Sequence, residues 1–265
     1  MSTDDSKFYD GSRLLTYNAV YNFVVGGRGI GKTFWFKRRS IQQFLKHGHE
    51  FIVLRRYSTE LNTRHLFFGD VEPWFPDHEF RVYGMYGQIR RAPEPGSDSE
   101  PDWVNMCYFI SLSTAQQKKS TPFAKVHTII FDEFIIENES KAQYLSDEKS
   151  AFNNFYSTVD RFQDRVKVFF LANSVSIMAP LLNGYEILPN GKEFQIKHNG
   201  FIVAQFPDSD EFTDNVYKNT RFGRFIEGTE YAEYAVDNKF LDNHDMMLGI
   251  KDNRAVYLYT LLVKR

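Results

Sequence analysis

The sequence predicts an α/β fold with a mostly parallel central sheet and helices on both faces. Three observations lead there. A glycine-rich stretch, GGRGIGKT (26–33), joins a short apolar run to a segment of helical length. Four short runs are apolar throughout, with none of the alternation expected of a half-exposed antiparallel sheet. These runs are separated by segments of helical length or spacing, which is the strand–helix–strand order of parallel sheets.

Taken in order, YNFVVG (21–26) reads as a buried strand stopped by glycine. KTFWFKRRSIQQFLKHG (32–48) reads as a helix, basic near its end and closed by Gly48. FIVLRR (51–56) is a second strand. RVYGMYGQIRR (81–91) and WVNMCYFISLS (103–113) flank a Pro/Gly/acidic stretch and predict a hairpin with a long exposed tip. HTIIF (127–131) and VKVFFLA (166–172) are further buried strands, with a helix over 146–162 between them, opened by Ser146 and Glu148. EFQIKHNGFIVAQF (193–206) predicts a hairpin turned at Asn199-Gly200. Composition turns acidic after Pro207. The expected organisation is therefore a nucleotide-binding domain over 1–206 with β-hairpin insertions, a linker over 207–230, and the incomplete beginning of a C-terminal domain over 231–265. The last strand-like run in that segment is VYLYTLLV.

Among the 265 residues, 42% are hydrophobic and 26 are Phe, enough apolar surface for one large packed domain. Cys107 is the only cysteine, which rules out an intrachain disulfide and suits a reducing compartment. The acidic start MSTDDSKFYD lacks a secretory pattern, and no apolar run reaches the length of a membrane span. The expectation is a soluble intracellular protein without a membrane partner. Net charge is −2 but unevenly placed. Residues 28–91 hold twelve Lys/Arg against six Asp/Glu, and residues 207–245 hold four against ten. An anion-facing surface and an acidic end are one reading of this split, and ordinary solvated faces the other.

Gly26, four residues, then Gly31-Lys32-Thr33 complete the pattern G-x-x-x-x-G-K-[ST] at a strand-to-helix turn. Gly27, Arg28, Gly29, Ile30, Gly31, Lys32, Thr33 and Phe34 are the expected ATP-binding residues. Their backbone N–H groups and the positive helix end converge on phosphate. Lys32 would reach the β- and γ-phosphates, and the Thr33 hydroxyl would ligate Mg²⁺. A dinucleotide fold would need its third glycine at 32, which is lysine. TIIFDE (128–133) supplies the second anchor, with Asp132 for the Mg²⁺ shell and Glu133 to orient and deprotonate water. A glutamate beside the aspartate favours water attack over transfer to a metabolite. Asn173, at the end of FFLAN, is a candidate γ-phosphate sensor or merely the start of a turn. No N-K-x-D element supports guanine specificity. A cation from a neighbouring subunit is sought among Arg161, Arg165 and the Lys118-Lys119 pair, the last also a candidate nucleic-acid contact.

FVVGGRGIGKTFWFK, FIVLRRY, FPDHEF, TIIFDEF, LANSVS, TRFGRFIEGTEYAE and DNKF occur in this order between about Tyr17 and Phe240. Together they resemble the DNA-packaging ATPases of small tailed phages of the phi29 kind. The resemblance implies a P-loop NTPase of the additional-strand, conserved-glutamate (ASCE) class. It implies a homo-oligomeric ring, a pentamer, on the portal vertex of a procapsid in the host cytoplasm, pumping double-stranded DNA inward. A structural RNA seats the ring in the best-known member. Carried over by position, Lys32 and Thr33 are the Walker A residues and Asp132 and Glu133 the Walker B pair. Arg161 matches the trans-acting arginine, Arg28 an arginine of the loop, and Lys119 a lysine near the subunit boundary. Two features depart from the family. Too little chain follows DNKF for a nuclease-like C-terminal domain, and the 92–101 loop is long. A sequence-independent motor would hold DNA through phosphates rather than base edges. A helicase-like translocase and a nucleotide-gated structural ring subunit with little turnover are the alternatives.

Overall fold

The computed structural model describes residues 8–94, 101–118, 123–137, 140–207, 217, 219–229 and 232. After a short helix α1 (Ser12–Thr16), the chain forms β1 (Tyr21–Gly26), α2 (Lys32–His47) and β2 (Glu50–Arg55). There follow β3 (His78–Tyr83), β4 (Tyr86–Arg91), β5 (Val104–Ser111) and β6 (Val126–Asp132). Then come α3 (Glu148–Asp160), β7 (Lys167–Asn173), β8 (Phe194–Lys197) and β9 (Ile202–Gln205). Among the described residues these strands form one sheet in the order β3-β4-β5-β2-β6-β7-β1-β9-β8. The six strands from β5 to β9 in that order are mutually parallel, and β3, β4 and β8 add antiparallel edges. β7 lies between β1 and β6, the additional strand implied by the resemblance.

Uniformly apolar strands are needed here because both faces of the sheet are covered. On β1, Phe23 and Val25 point to one face, where α3 contributes Phe152 and Phe155. Val24 points to the other, where α2 contributes Phe36 and Ile41. Phenylalanine fills the first layer. Phe23 stacks on Phe170 with centroids 4.1 Å apart and planes 3° apart, an offset aromatic contact inside the parallel sheet.

The 193–206 hairpin is present as expected, with Asn199 at φ 55° and Gly200 at φ 86° in its turn. Two expectations need correction. Residues 81–91 are not one strand; they hold most of the β3–β4 hairpin, turned at Gly84-Met85 with Gly84 at φ 60°. A lone glycine in a strand-like run marked this turn, but the apolar residues around it masked it. The long loop after Arg91 does join two antiparallel strands, β4 and β5. The second correction concerns α3, which starts at Glu148. Its N-cap is Asp147, whose carboxylate accepts from the Ser150 N–H at 3.1 Å, and not Ser146. Of the expected linker and C-terminal segment, the described part holds a short helix, Arg221–Ile226, capped by Thr220. The strand-like run 256–263 lies outside the described residues.

One buried ion pair ties the sheet to α3. Arg56, immediately after β2, donates from Nε to Glu148 Oε2 at 2.7 Å and from Nη2 to Glu148 Oε1 at 2.9 Å. Nη2 also donates to the carbonyl of Phe134. The two side chains are 1% and 0% exposed. Glu148 stands in the first turn of α3, where the helix end favours its charge, and also accepts from the Leu145 N–H. Removing one partner of such a pair leaves an uncompensated buried charge. Arg56→Ala should therefore lower unfolding free energy by about 3–5 kcal/mol in denaturant titration, and Arg56→Ala/Glu148→Leu should recover a measurable part of it.

Candidate nucleotide site

The loop between β1 and α2 folds as a phosphate cradle because two of its glycines adopt left-handed conformations that other residues enter only at a cost. Gly29 and Gly31 have φ of 80° and 92°, and Gly31 is the left-handed N-cap from which α2 starts. Gly26 is required for a different reason. A Cβ there would lie 2.7 Å from Cγ of Pro207, so the chain leaving β9 passes directly against the loop. A cavity of about 280 Å³ opens above it, lined by Arg28, Gly29, Gly31, Lys32, Thr33 and Phe34 on one side. Asp132, Glu133, Glu137, Ala172 and Asn173 form the other. Two of the expected loop residues do not line this cavity: Gly27, whose carbonyl accepts from Lys32, and Ile30, whose side chain turns into the core. Phe34 packs edge-on against Trp74, with centroids 5.8 Å apart.

Strand order explains how residues so distant in sequence meet. β1, β7 and β6 are adjacent and parallel, so Gly26, Asn173 and Asp132 emerge side by side at their carboxyl ends. Lys32 is buried and donates from Nζ to Gly26 O (2.9 Å), Gly27 O (2.6 Å) and Asn173 Oδ1 (3.3 Å). Burial pulls its pKa down to about 7, against the opposing pull of the Asp132 carboxylate. Asn173 is thus inside the site and not only a turn residue, and its Nδ2 donates to Glu137 Oε1 at 3.0 Å. Glu137 also faces Arg28 across 3.5 Å.

The Thr33 hydroxyl donates to Asp132 Oδ1 at 2.9 Å. This hydroxyl and carboxylate are hard oxygen ligands set side by side over the cradle, a donor set that fits Mg²⁺ together with nucleotide oxygens. Among the described residues no group of three or more His, Cys, Asp or Glu is placed to hold a metal. Asp132 and Glu133 share a partner that the sequence reading did not assign. Arg55, the last residue of β2, donates to Asp132 Oδ2 at 3.4 Å and pairs with Glu133 through Nη2. Its Nε lies 3.6 Å from Glu60. Burial works against the Arg55 charge, but Asp132, Glu133 and Glu60 outweigh it and hold the guanidinium above its ordinary pKa. Glu133 itself sits at φ 54° with its side chain 61% exposed, just past the strand end. The only sequence signal for Arg55 was a basic pair ending a buried strand.

The candidates for a trans cation separate clearly. Arg165 is committed within its own chain, donating to the carbonyls of Val126, Phe123 and Val159. Arg161 is exposed and its side chain has no hydrogen-bond or ion-pair partner among the described residues. Asp160 pairs with neither arginine side chain. Its buried carboxylate accepts from the N–H groups of Gln163, Asp164, Arg165 and Val166 at 2.9–3.0 Å. Those bonds hold Arg161, Phe162 and Asp164 at φ of 54°, 57° and 52°, conformations that cost on the order of 1–3 kcal/mol each. Lys118 ends a 3-10 segment, Leu112–Lys118; its side chain and all of Lys119 lie outside the described residues. No helix among the described residues is long and apolar enough to cross a membrane.

Comparison with known proteins agrees with this geometry. The sequence is 36% identical to the DNA packaging protein of Bacillus phage phi29 over 260 residues, 98% of this chain and 74% of that protein. It is 36% identical to the DNA packaging protein of Bacillus phage B103 over 253 residues, 95% of this chain and 74% of that one. The fold is similar to the N-terminal domain of the DNA packaging ATPase from bacteriophage phi29. The TM-score is 0.66 at 35% identity, covering 77% of this chain and 98% of the other. A chain of the bacteriophage phi29 viral genome packaging motor assembly gives a TM-score of 0.66 at 37% identity, covering 88% of this chain and 66% of that one. The family model for the Podovirus DNA encapsidation protein (Gp16) matches residues 3–263, and the chain belongs to that family.

Proposed function

We propose that this protein is an ATP-driven motor subunit that moves double-stranded viral DNA into a preformed capsid through its portal vertex. Family membership supports the DNA-packaging role. The observation that carries hydrolysis is the Thr33–Asp132 hydrogen bond over the glycine loop, with Glu133 next in sequence. The loop amides and the α2 N-terminus bind the phosphates. Lys32 turns from the carbonyls of Gly26 and Gly27 to the transferred phosphate. Thr33 and Asp132 would hold Mg²⁺, which would supply positive charge beside the phosphates. Glu133 orients water and takes its proton, and Asn173, already bonded to Lys32, senses the γ-phosphate. Arg161 of a neighbouring subunit adds the remaining cation. The resemblance supports a homo-oligomeric ring, a pentamer seated at the portal in the host cytoplasm, with a structural RNA as a further partner.

In the present geometry Glu133 is bound to Arg55 and is not free to act on water. Release from Arg55 is therefore the step that makes the site competent, and DNA engagement is the natural trigger for a motor. Steady-state ATP turnover with and without long duplex DNA, over a range of protein concentration, tests the whole reading. Turnover should rise with both. Stimulation by single strands alone would favour a helicase, and tight binding without turnover would favour a structural subunit.

Three residue-level outcomes follow. Glu133→Gln should bind ATP as before and lose roughly 10²–10⁴-fold in turnover, and an unchanged rate would remove Glu133 as the base. Arg55→Gln should raise turnover in the absence of DNA and so reduce the ratio of stimulated to basal rates. An unaltered ratio would deny Arg55 control over Glu133. Burial pulls the pKa of the Lys32 ammonium down to about 7, and a phosphate set beside it should restore its proton. Calorimetry of ATP binding in two buffers of different ionisation enthalpy should thus report proton uptake at about pH 8. The uptake should vanish by about pH 6, where Lys32 is already charged.

A further inference from the structure

The turn after α3 displays a second group beside Arg161. Phe162 is 90% exposed, the largest exposure of any bulky apolar residue described. It sits at φ 57°, where an aromatic side chain is disfavoured, and the four hydrogen bonds to Asp160 hold it there. A conformation this unfavourable, built to place a phenyl ring in water, indicates a contact made elsewhere.

A matching recess exists on the same molecule but out of its own reach. A cavity of about 240 Å³ has an apolar side of Leu61, Leu66, Phe67 and Phe109, and a polar side that includes Arg55, Glu60, Thr63, Arg64 and Asp132. Leu66 at its mouth is 66% exposed. It shares Asp132 with the nucleotide cavity, so the two are neighbours. Arg55 and Asp132 end β2 and β6, placing the recess at the carboxyl ends of the strands. Phe162 precedes the start of β7 at Lys167 and so stands at the amino ends. One copy cannot fill its own recess.

We propose that Phe162 of one copy inserts into the Leu61–Leu66–Phe67–Phe109 recess of the next copy, as the apolar anchor of a head-to-tail interface. The proposal rests on the reading of Arg161 as the trans-acting cation. Consecutive Cα atoms are about 3.8 Å apart, so an Arg161 that reaches the neighbour's phosphates carries Phe162 to the edge of the same site. The recess sharing Asp132 is the apolar surface waiting there. Because the two patches differ and lie at opposite ends of the sheet, the contact is heterologous, the type that closes rings. Buried aromatic anchors of this kind dominate interface energetics. Arg55 lines the wall of the recess, so filling it also touches the side chain that holds Glu133.

Cross-linking tests this directly, because Cys107 is fully buried and leaves the surface free of thiols among the described residues. Phe162→Cys and Leu66→Cys chains, mixed with ATP and duplex DNA and oxidised, should give a disulfide-linked dimer that neither variant gives alone. A chain carrying both changes should give a ladder of higher species. No dimer at concentrations where the DNA-stimulated turnover of the mixture has reached its plateau overturns the proposal. Phe162→Ala should raise the protein concentration needed for half-maximal DNA-stimulated turnover about tenfold or more while leaving ATP affinity unchanged. If Phe162→Ala assembles normally while Arg161→Ala abolishes turnover, the anchor is refuted and the cation reading stands. If Phe162→Ala disrupts assembly while Arg161→Ala is fully active, the anchor stands and the cation reading falls.

Discussion

The buried pair between Arg56 and Glu148 is the constraint on which the rest of the site depends. It is placed at the junction of three segments: the end of β2, the backbone just after Glu133, and the first turn of α3. Charges inside a protein are tolerated only when fully engaged, and here the guanidinium is held by both carboxylate oxygens and a carbonyl. A shift of any one segment would break this set, so the three move together or not at all. The carboxylate strand is thereby referenced to α3, and α3 in turn carries the Arg161–Phe162 turn at its far end. A helix 13 residues long spans about 20 Å, which sets the separation between the Arg56–Glu148 pair and the Arg161–Phe162 turn.

Adjacent to this lock, the site stores its charges in mutually satisfied form. Lys32 is folded back on its own loop and Arg55 is shared between the two Walker B acids. Arg28 faces Glu137, which accepts from Asn173. Each cation that the chain itself brings to its own cavity is therefore already occupied by a group of opposite sign or by a carbonyl. For the buried Lys32, binding exchanges carbonyl partners for phosphate oxygens instead of creating charge contacts from water.

The glycine loop and the TIIFDE strand were legible in sequence because their chemistry fixes both residue type and spacing. Buried strands were legible because a sheet covered on both faces leaves no alternation. Strand order was not, since chain order places β7 last of the four inner strands, whereas space places it between β1 and β6. For the same reason Arg55 went unassigned: only the adjacency of β2 and β6 brings it to Asp132 and Glu133. Arg161 and Arg165 have the same local spacing, and nothing in it reveals that Arg165 is consumed by three carbonyls. The Gly84-Met85 turn was hidden by its apolar flanks. Lys118 and Lys119 keep the standing the sequence gives them.

The close approach of Pro207 to Gly26 sets the exit of β9 directly against the phosphate loop. Most couplings in an α/β domain must cross the sheet and are damped by its stiffness. This one does not. The first glycine of the loop leaves no room for a side chain beside the proline at the exit of β9, so the loop acts as a bearing for that exit. Any movement of the loop at that glycine would meet Pro207 with no intervening part. Alanine at position 26 would jam the bearing as surely as it would spoil the cradle, and the two functions cannot be selected separately.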